Sequence, residues 1–224
     1  MITVSEDLDD KLHKISSASV YSALWDLGYR NLCMHDILPV TLNNIHIVGK
    51  ALTVRYLPFT KYFNIEEYRK SSVFKAAQIA GSENVVVMDA LGSKVGVIGD
   101  CIAMGFKTKG VAGVVIDGGV RDVPLIKKML LPVFARCVTP AHIEGYITPI
   151  ELNTTINCDG VQVCPDDIIV GDDDGVVVIP RSVMKEAIEI GWRHERLDEE
   201  SRKRISSGIP LDGAYPPKKE WLEE

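Results

Sequence analysis

Cysteine is scarce in this chain: Cys33, Cys101, Cys137, Cys158 and Cys164 are the five among 224 residues, and no C-x-x-C pair occurs. An odd, scattered set favours neither a disulfide framework nor a zinc knuckle, and the cysteines are expected to be mostly buried thiols. Long apolar runs are also missing, since none approaches the roughly 18 residues of a membrane span. The stretch Met1 to Asp10 is acidic where a secretory signal would be basic and then apolar. A cytoplasmic protein without a membrane partner is the expectation. Excess positive charge is lacking too: 25 Lys and Arg against 31 Asp and Glu give a net charge of −6. That argues against a broad cationic surface for phosphate backbones, so nucleic acid is not an expected partner and only a small local basic patch is left open. The 18 glycines and 11 prolines are dispersed, which argues against collagen-like repeats and a largely disordered chain. With no internal repeat, low-complexity tract or composition break, one domain over residues 1–224 is expected.

What is present is a set of short apolar runs alternating with amphipathic ones. From Glu6 to Leu27 the apolar spacing is helical, broken near Ser16-Ser17-Ala18-Ser19 and stopped at Gly28, which gives N-terminal helices over about 1–30. Residues 45–48 and 51–56 read as strands hinged at Gly49, and Asn64 to Ala80 as a helix ending at Gly81. Strands at 84–89, 113–117 and 133–137 alternate with helices near 102–106 and 123–130. Such a succession predicts an α/β layer with parallel pairing, whose sites lie beyond the carboxyl ends of the strands. Residues 147–180 read as β segments. A long polar helix over 181–206, with a thin apolar stripe of Val183, Ala187, Ile190 and Leu197, is expected to lean on a neighbouring subunit. The tail over 208–224 reads as an irregular strap.

The strongest cluster for chemistry runs from Gly99-Asp100 to Gly118-Gly119-Val120-Arg121-Asp122, where strands should end and helices begin. Helix N-termini there offer free amides to an anion. Asp100 and Asp122 could hold a divalent metal while Arg121 grips a carboxylate or an enolate oxygen. Equally open on spacing alone, the two aspartates are helix caps and Arg121 their ion-pair partner. Asp172-Asp173-Asp174-Gly175 lacks the spacing of a calcium loop and reads as a turn, and residues 90–96 read as a flexible rim of the pocket. The histidines show no metal-ligand spacing, although His142 is a candidate to line the pocket. Cys101 reads as a small packing residue.

The stretch Gly113-Val114-Val115-Ile116-Asp117-Gly118-Gly119-Val120-Arg121-Asp122, followed by Leu131-Pro132-Val133-Phe134-Ala135-Arg136, resembles the signature of the RraA-like family. An Asp followed after twenty residues by Arg-Asp, the hallmark of that family, is met by Asp100 and Arg121-Asp122. The resemblance continues through Val48 to Val54 and Gly171 to Pro180. It implies a layered α/β/β sandwich like the phosphohistidine swivelling domain, assembled as homotrimers or dimers of trimers with sites between subunits. Departures are Pro165-Asp166-Asp167 in place of a Pro-Gly-Asp turn, and Cys101-Ile102-Ala103-Met104 in place of a more polar helix start.

Members of the family include class II pyruvate aldolases, the 4-hydroxy-4-methyl-2-oxoglutarate aldolases. For this chain the resemblance implies a magnesium or manganese ion on Asp122, largely through water, with Asp100 bonded to metal-bound water. It implies Arg121 on the pyruvate enolate oxygen and the amides of Cys101 and Ile102 on the pyruvate carboxylate. An acid from the C-terminal helix of a neighbouring subunit completes the site, with Glu195 favoured over Asp198 and Glu199. The implied function is retro-aldol cleavage of a 4-hydroxy-2-oxo dicarboxylate to pyruvate, with oxaloacetate decarboxylation as a side activity. The family also holds non-enzymatic inhibitors of ribonuclease E. Those are shorter, so the extended C-terminal helix favours the enzyme.

Overall fold

The computed structural model describes residues 6–59 and 64–222. The first five residues of the acidic N-terminal stretch and the last two of the predicted strap lie outside them. Helices α1 (Glu6–Leu12) and α2 (Ser17–Asp26) open the chain, and two short strands follow, β1 (Cys33–Met34) and β2 (Leu38–Pro39). Ser16 accepts a hydrogen bond from Ser19 N–H and so caps α2 at the predicted break. Next come β3 (His46–Pro58), α3 (Ile65–Tyr68), α4 (Ser72–Ile79), β4 (Asn84–Ile98), α5 (Asp100–Thr108), β5 (Gly113–Val120), α6 (Val123–Lys128) and β6 (Val133–Val138). Strands β3, β4, β5 and β6 pair in parallel, as the alternation predicts. The β-rich part supplies β7 (Ile147–Leu152), β8 (Ile156–Cys158), β9 (Val161–Val163), β10 (Ile168–Asp172) and β11 (Gly175–Ile179), before the long α7 (Met184–Ser206) and short α8 (Leu211–Ala214).

One sheet in the order β1-β11-β10-β3-β4-β5-β6-β2, with β7 added to β3, carries the fold, and β8–β9 forms a separate two-stranded sheet. Its centre is covered on both faces, which is why its strands read as unbroken apolar runs. Side chains of β4 alternate accordingly. Val85 and Val87 join Leu12, Val20, Leu24 and Ile188 in one core, on the side of α1, α2 and α7. Val86 and Met88 join Val73, Phe106 and Ile126 in the other, on the side of α4, α5 and α6. The mixed α/β fold with a long C-terminal helix is therefore the one expected. No helix among the described residues is long and apolar enough to cross a membrane.

Several local expectations need correction. Gly49 does not hinge two strands, because β3 runs through it. The helix expected over 64–80 is two, since Ser71 takes an extended conformation and starts α4 afresh. Residues 90–96 are part of β4, and Ser93 and Gly96 pair with Gly118 and Gly119. The apolar stripe of α7, which packs on α1 and α2, is shifted: its buried side includes Met184, Ala187, Ile188 and Leu197, in place of the predicted Ile190. The strap is more ordered than expected, with α8 and a 3-10 turn over Lys219–Leu222. Of the cysteines only Cys158 is buried, while Cys101 is exposed. Asp166 adopts φ +67, the left-handed conformation that glycine provides in the commoner Pro-Gly-Asp turn, so that departure is absorbed locally.

A partly buried charge network ties the β5 side of the sheet together. The Arg136 guanidinium on β6 binds the carboxylates of Asp117 on β5, Asp159 in the β8–β9 turn and Asp36 before β2. Asp117 and Asp159 are themselves linked, since Asp159 N–H donates to Asp117 Oδ2 at 2.9 Å. Asp89 on β4 lies close enough to feel Asp117. Burial, which comes first, and then that like charge push its carboxyl pKa up, against lowering by the amides of Leu91 and Asn157. The signature residues Asp117 and Arg136 thus act in the fold.

Candidate active site

Strands β4 and β5 are neighbours, and their carboxyl ends deliver Gly99-Asp100 and Arg121-Asp122 side by side. The two pairs, together with Tyr68, Gly96, Val97, Cys101, Ile102, His142 and Ile143, line a cavity of about 200 Å³. This is the position in which parallel α/β sheets hold their ligands.

Asp122 precedes α6 with φ +57 and ψ +27 and makes no side-chain cap bond to that helix. An L-residue held there costs about 1 kcal/mol, a conformation tolerated best by Asn and Asp. Its Oδ2 accepts from Arg121 Nε at 3.2 Å and, in a long contact of 3.4 Å, from the Asp100 amide. Asp100 accepts from the Cys101 amide at 2.8 Å through Oδ1. The two alternatives left open by spacing are thus divided: Asp100 binds an amide of its own helix, whereas Asp122 does not cap α6 and lies in the cavity wall. Glycine at 99 is required by this arrangement, because a Cβ there would sit 2.5 Å from Asp122 Oδ2.

Cys101 N–H is engaged by Asp100, while the Ile102 amide has no partner among the described residues. Positive ends of helix dipoles favour anions at such amides. The Cys101 thiol lies beside Asp100, whose negative charge pushes its pKa up. A thiol held protonated is a poor nucleophile, and its exposure corrects the packing role expected for it. His142 is held in the wall by the backbone pairing of its segment with Gly96. Tyr68, also in the wall, carries no sequence signal that could have found it.

Glu195 is not among the residues around this cavity. Its Oε2 accepts from Ser16 N–H at 3.1 Å, Ser16 Oγ at 2.7 Å and Ser19 Oγ at 2.9 Å, at the start of α2. Burial opposes its charge, but these hydrogen bonds and Arg202 outweigh burial and lower its pKa. Within its own chain the Glu195 carboxylate is engaged by these three hydrogen bonds. Asp198 makes no ion pair among the described residues, and Glu199 pairs with Lys203 at 2.8 Å.

Among the described residues no group of three or more His, Cys, Asp or Glu side chains could hold a metal directly. Two hard carboxylates beside an open cavity suit an ion that keeps most of its water, which is the habit of magnesium and, similarly, manganese. Zinc, with its three or four direct ligands, does not fit.

The aldolase/RraA model of RraA-like proteins matches residues 10–178. The chain belongs to the RraA-like family. An uncharacterized protein of Methanocaldococcus jannaschii is 33% identical over 208 residues, covering 89% of this chain and 95% of the relative. A protein of Halalkalibacterium halodurans named "Putative 4-hydroxy-4-methyl-2-oxoglutarate aldolase" is 33% identical over 190 residues, covering 84% of each chain. Among solved structures, Streptomyces coelicolor RraAS2, described as an unusual member of the RNase ES inhibitor RraA family, superposes with a TM-score of 0.80 at 28% identity. That superposition covers 91% of this chain and all of the other. Within the RraA-like chain, the matched region contains the whole cavity wall and stops before α7.

Proposed function

We propose that the protein is a divalent-metal-dependent carbon–carbon lyase that releases pyruvate from 4-hydroxy-2-oxo dicarboxylates of the 4-hydroxy-4-methyl-2-oxoglutarate type, and that it decarboxylates oxaloacetate at the same site. The observation that carries this reading is the convergence of Asp100, Arg121 and Asp122 in one cavity at the ends of β4 and β5. The aldolase name of the Halalkalibacterium relative supports it.

In retro-aldol cleavage the bond between C3 and C4 breaks, its electron pair passes into the pyruvate enolate, and the C4 hydroxyl proton leaves. Magnesium or manganese held by Asp122, with Asp100 beside it, would supply positive charge next to the reacting carbonyl. Arg121 offers a fixed guanidinium to the enolate oxygen, so the charge that develops on cleavage is met by a group already in place. Cys101 and Ile102, at the positive end of α5, receive the substrate carboxylate, and the Ile102 amide needs no prior bond to be broken. Asp100 would take the C4 hydroxyl proton and pass it to C3 of the enolate, and Arg121 orients Asp122 through the 3.2 Å contact of its Nε.

The reading includes assembly into homotrimers or dimers of trimers, in which an acid of α7 reaches a neighbour's cavity. Glu195 would surrender three hydrogen bonds to do so, whereas Asp198 has none to surrender among the described residues, so we favour Asp198. Likeness to RraAS2 favours one second reading, a non-enzymatic regulator that binds a ribonuclease. Arg121→Ala decides on the mechanism: pyruvate release from oxaloacetate should be abolished while the oligomer persists. Unchanged turnover would remove Arg121 from the chemistry, and a wild-type chain inert toward both substrates would favour the regulator.

A further inference from the structure

The C-terminal arm holds a second cavity, of about 400 Å³, far in sequence from the residues of the first. Its walls are Glu189, Trp192, Arg193 and Arg196 of α7 together with Lys219 and Leu222 of the 3-10 turn that follows α8. The α7 residues fall at positions i, i+3, i+4 and i+7, which places them along one side of the helix. Arg204 lies over the Trp221 ring at 4.3 Å, and this contact holds the turn against α7. Every wall residue lies beyond residue 178, where the family match ends, so the cavity belongs to the part of the chain outside it.

Its charges are out of balance. Arg193, Arg196 and Lys219 make no ion pair and no side-chain hydrogen bond among the described residues. Glu189 stands four residues before Arg193, the favourable order for a helical ion pair, yet it binds Lys11 at 2.9 Å instead. Two arginines three residues apart on one helix face repel each other, and no ion pair among the described residues relieves that repulsion. In a protein of net charge −6, such a concentration of unmatched cations is a local exception. The size of the cavity is within the range of small-ligand sites, about 300–1,000 Å³.

We infer that this cavity is a binding site for a phosphate monoester bearing a flat ring, of the mononucleotide kind. Two guanidinium forks and an ammonium match a phosphate that carries about two negative charges at neutral pH, whereas a monocarboxylate would leave cations unmatched. Trp192 packs against the core and also lines the cavity, so an aromatic side chain is at hand for the ligand's ring to contact. The inference does not depend on the lyase reading, because it concerns different residues and a different ligand.

Calorimetric titration of the full chain with AMP, with inorganic phosphate and with citrate tests it. Saturable binding of AMP is expected, weaker by about tenfold or more in the Arg193→Gln/Arg196→Gln variant and weakened by added salt. Pyruvate release by that variant should match the wild type. Inorganic phosphate or citrate binding as tightly as AMP would overturn the role of the ring. No saturable AMP binding, or binding equal in the variant, would overturn the site. Both arginines are exposed, so the variant should fold, and its melting temperature checks that.

Discussion

Gly99→Ala is the sharpest probe of the candidate active site, because it adds one methyl group where the structure has no room for it. The backbone angle at Gly99, φ −120, is one that alanine adopts freely, so the substitution tests sterics rather than strain. The new Cβ would start 2.5 Å from Asp122 Oδ2, and ordinary contact begins near 3.4 Å, so the carboxylate has to retreat by about 0.9 Å. A retreat of that size moves the proposed metal ligand and loosens the contact of Asp122 with Arg121, now 3.2 Å. Misplacement of a catalytic group by about 1 Å costs on the order of 100-fold in rate. Pyruvate release from oxaloacetate, followed with a coupled dehydrogenase, should therefore fall by about two orders of magnitude. Asp122 is half-exposed, so thermal stability should change little. Turnover within about threefold of the wild type, in a folded variant, would show that the placement of Asp122 is irrelevant to the reaction, and the reasoning would be refuted.

Three further outcomes are expected. Arg136→Met should leave the buried carboxylates of Asp117 and Asp159 without their cation and destabilise the fold by about 3–5 kcal/mol, a loss of roughly 10 °C in melting temperature; calorimetric scanning checks this. Asp89 has a folded-state pKa raised above its unfolded value, so its protonation favours the native state as pH falls. Asp89→Asn should accordingly gain stability relative to wild type above that folded-state pKa and lose the gain as pH falls through it; denaturant titrations of both proteins across that range read the difference directly. Glu195→Gln should destabilise by about 1–2 kcal/mol through the weakened start of α2. The stability Glu195 contributes is present above its unfolded pKa and fades as pH falls through the lowered folded value, so acid unfolding of wild type and variant should converge.

The parallel core was legible because β4 and β5 are buried on both faces over their first halves and therefore display unbroken apolar runs at 85–88 and 113–116. Spacing also placed Asp100 and Arg121-Asp122 at adjacent strand ends, since a strand-helix boundary falls at each. Spacing could not divide their roles. Whether Asp122 caps α6 depends on its φ of +57, and whether Asp100 does so depends on where one oxygen points. The partners of Glu195 were hidden for a related reason: a charged helix face gives no sign that Ser16 and Ser19, nearly 180 residues away, hydrogen-bond to it. The continuation of β4 through residues 90–96 was hidden because it depends on pairing with β5, whereas the split at Ser71 is a local change of backbone conformation. Tyr68 enters the cavity wall from a short helix without apolar periodicity, and Arg193 and Arg196 face a cavity only because the tail folds back on α7.

The measurement that bears most directly on the central claim is pyruvate release from 4-hydroxy-4-methyl-2-oxoglutarate and from oxaloacetate by the wild-type chain and Asp122→Ala, with magnesium, with manganese and with a chelator. The account predicts release by the wild type with either ion, none with chelator, and none from Asp122→Ala under any condition. Release that persists in chelator or in Asp122→Ala, or none from the wild type in a folded oligomer, would contradict it.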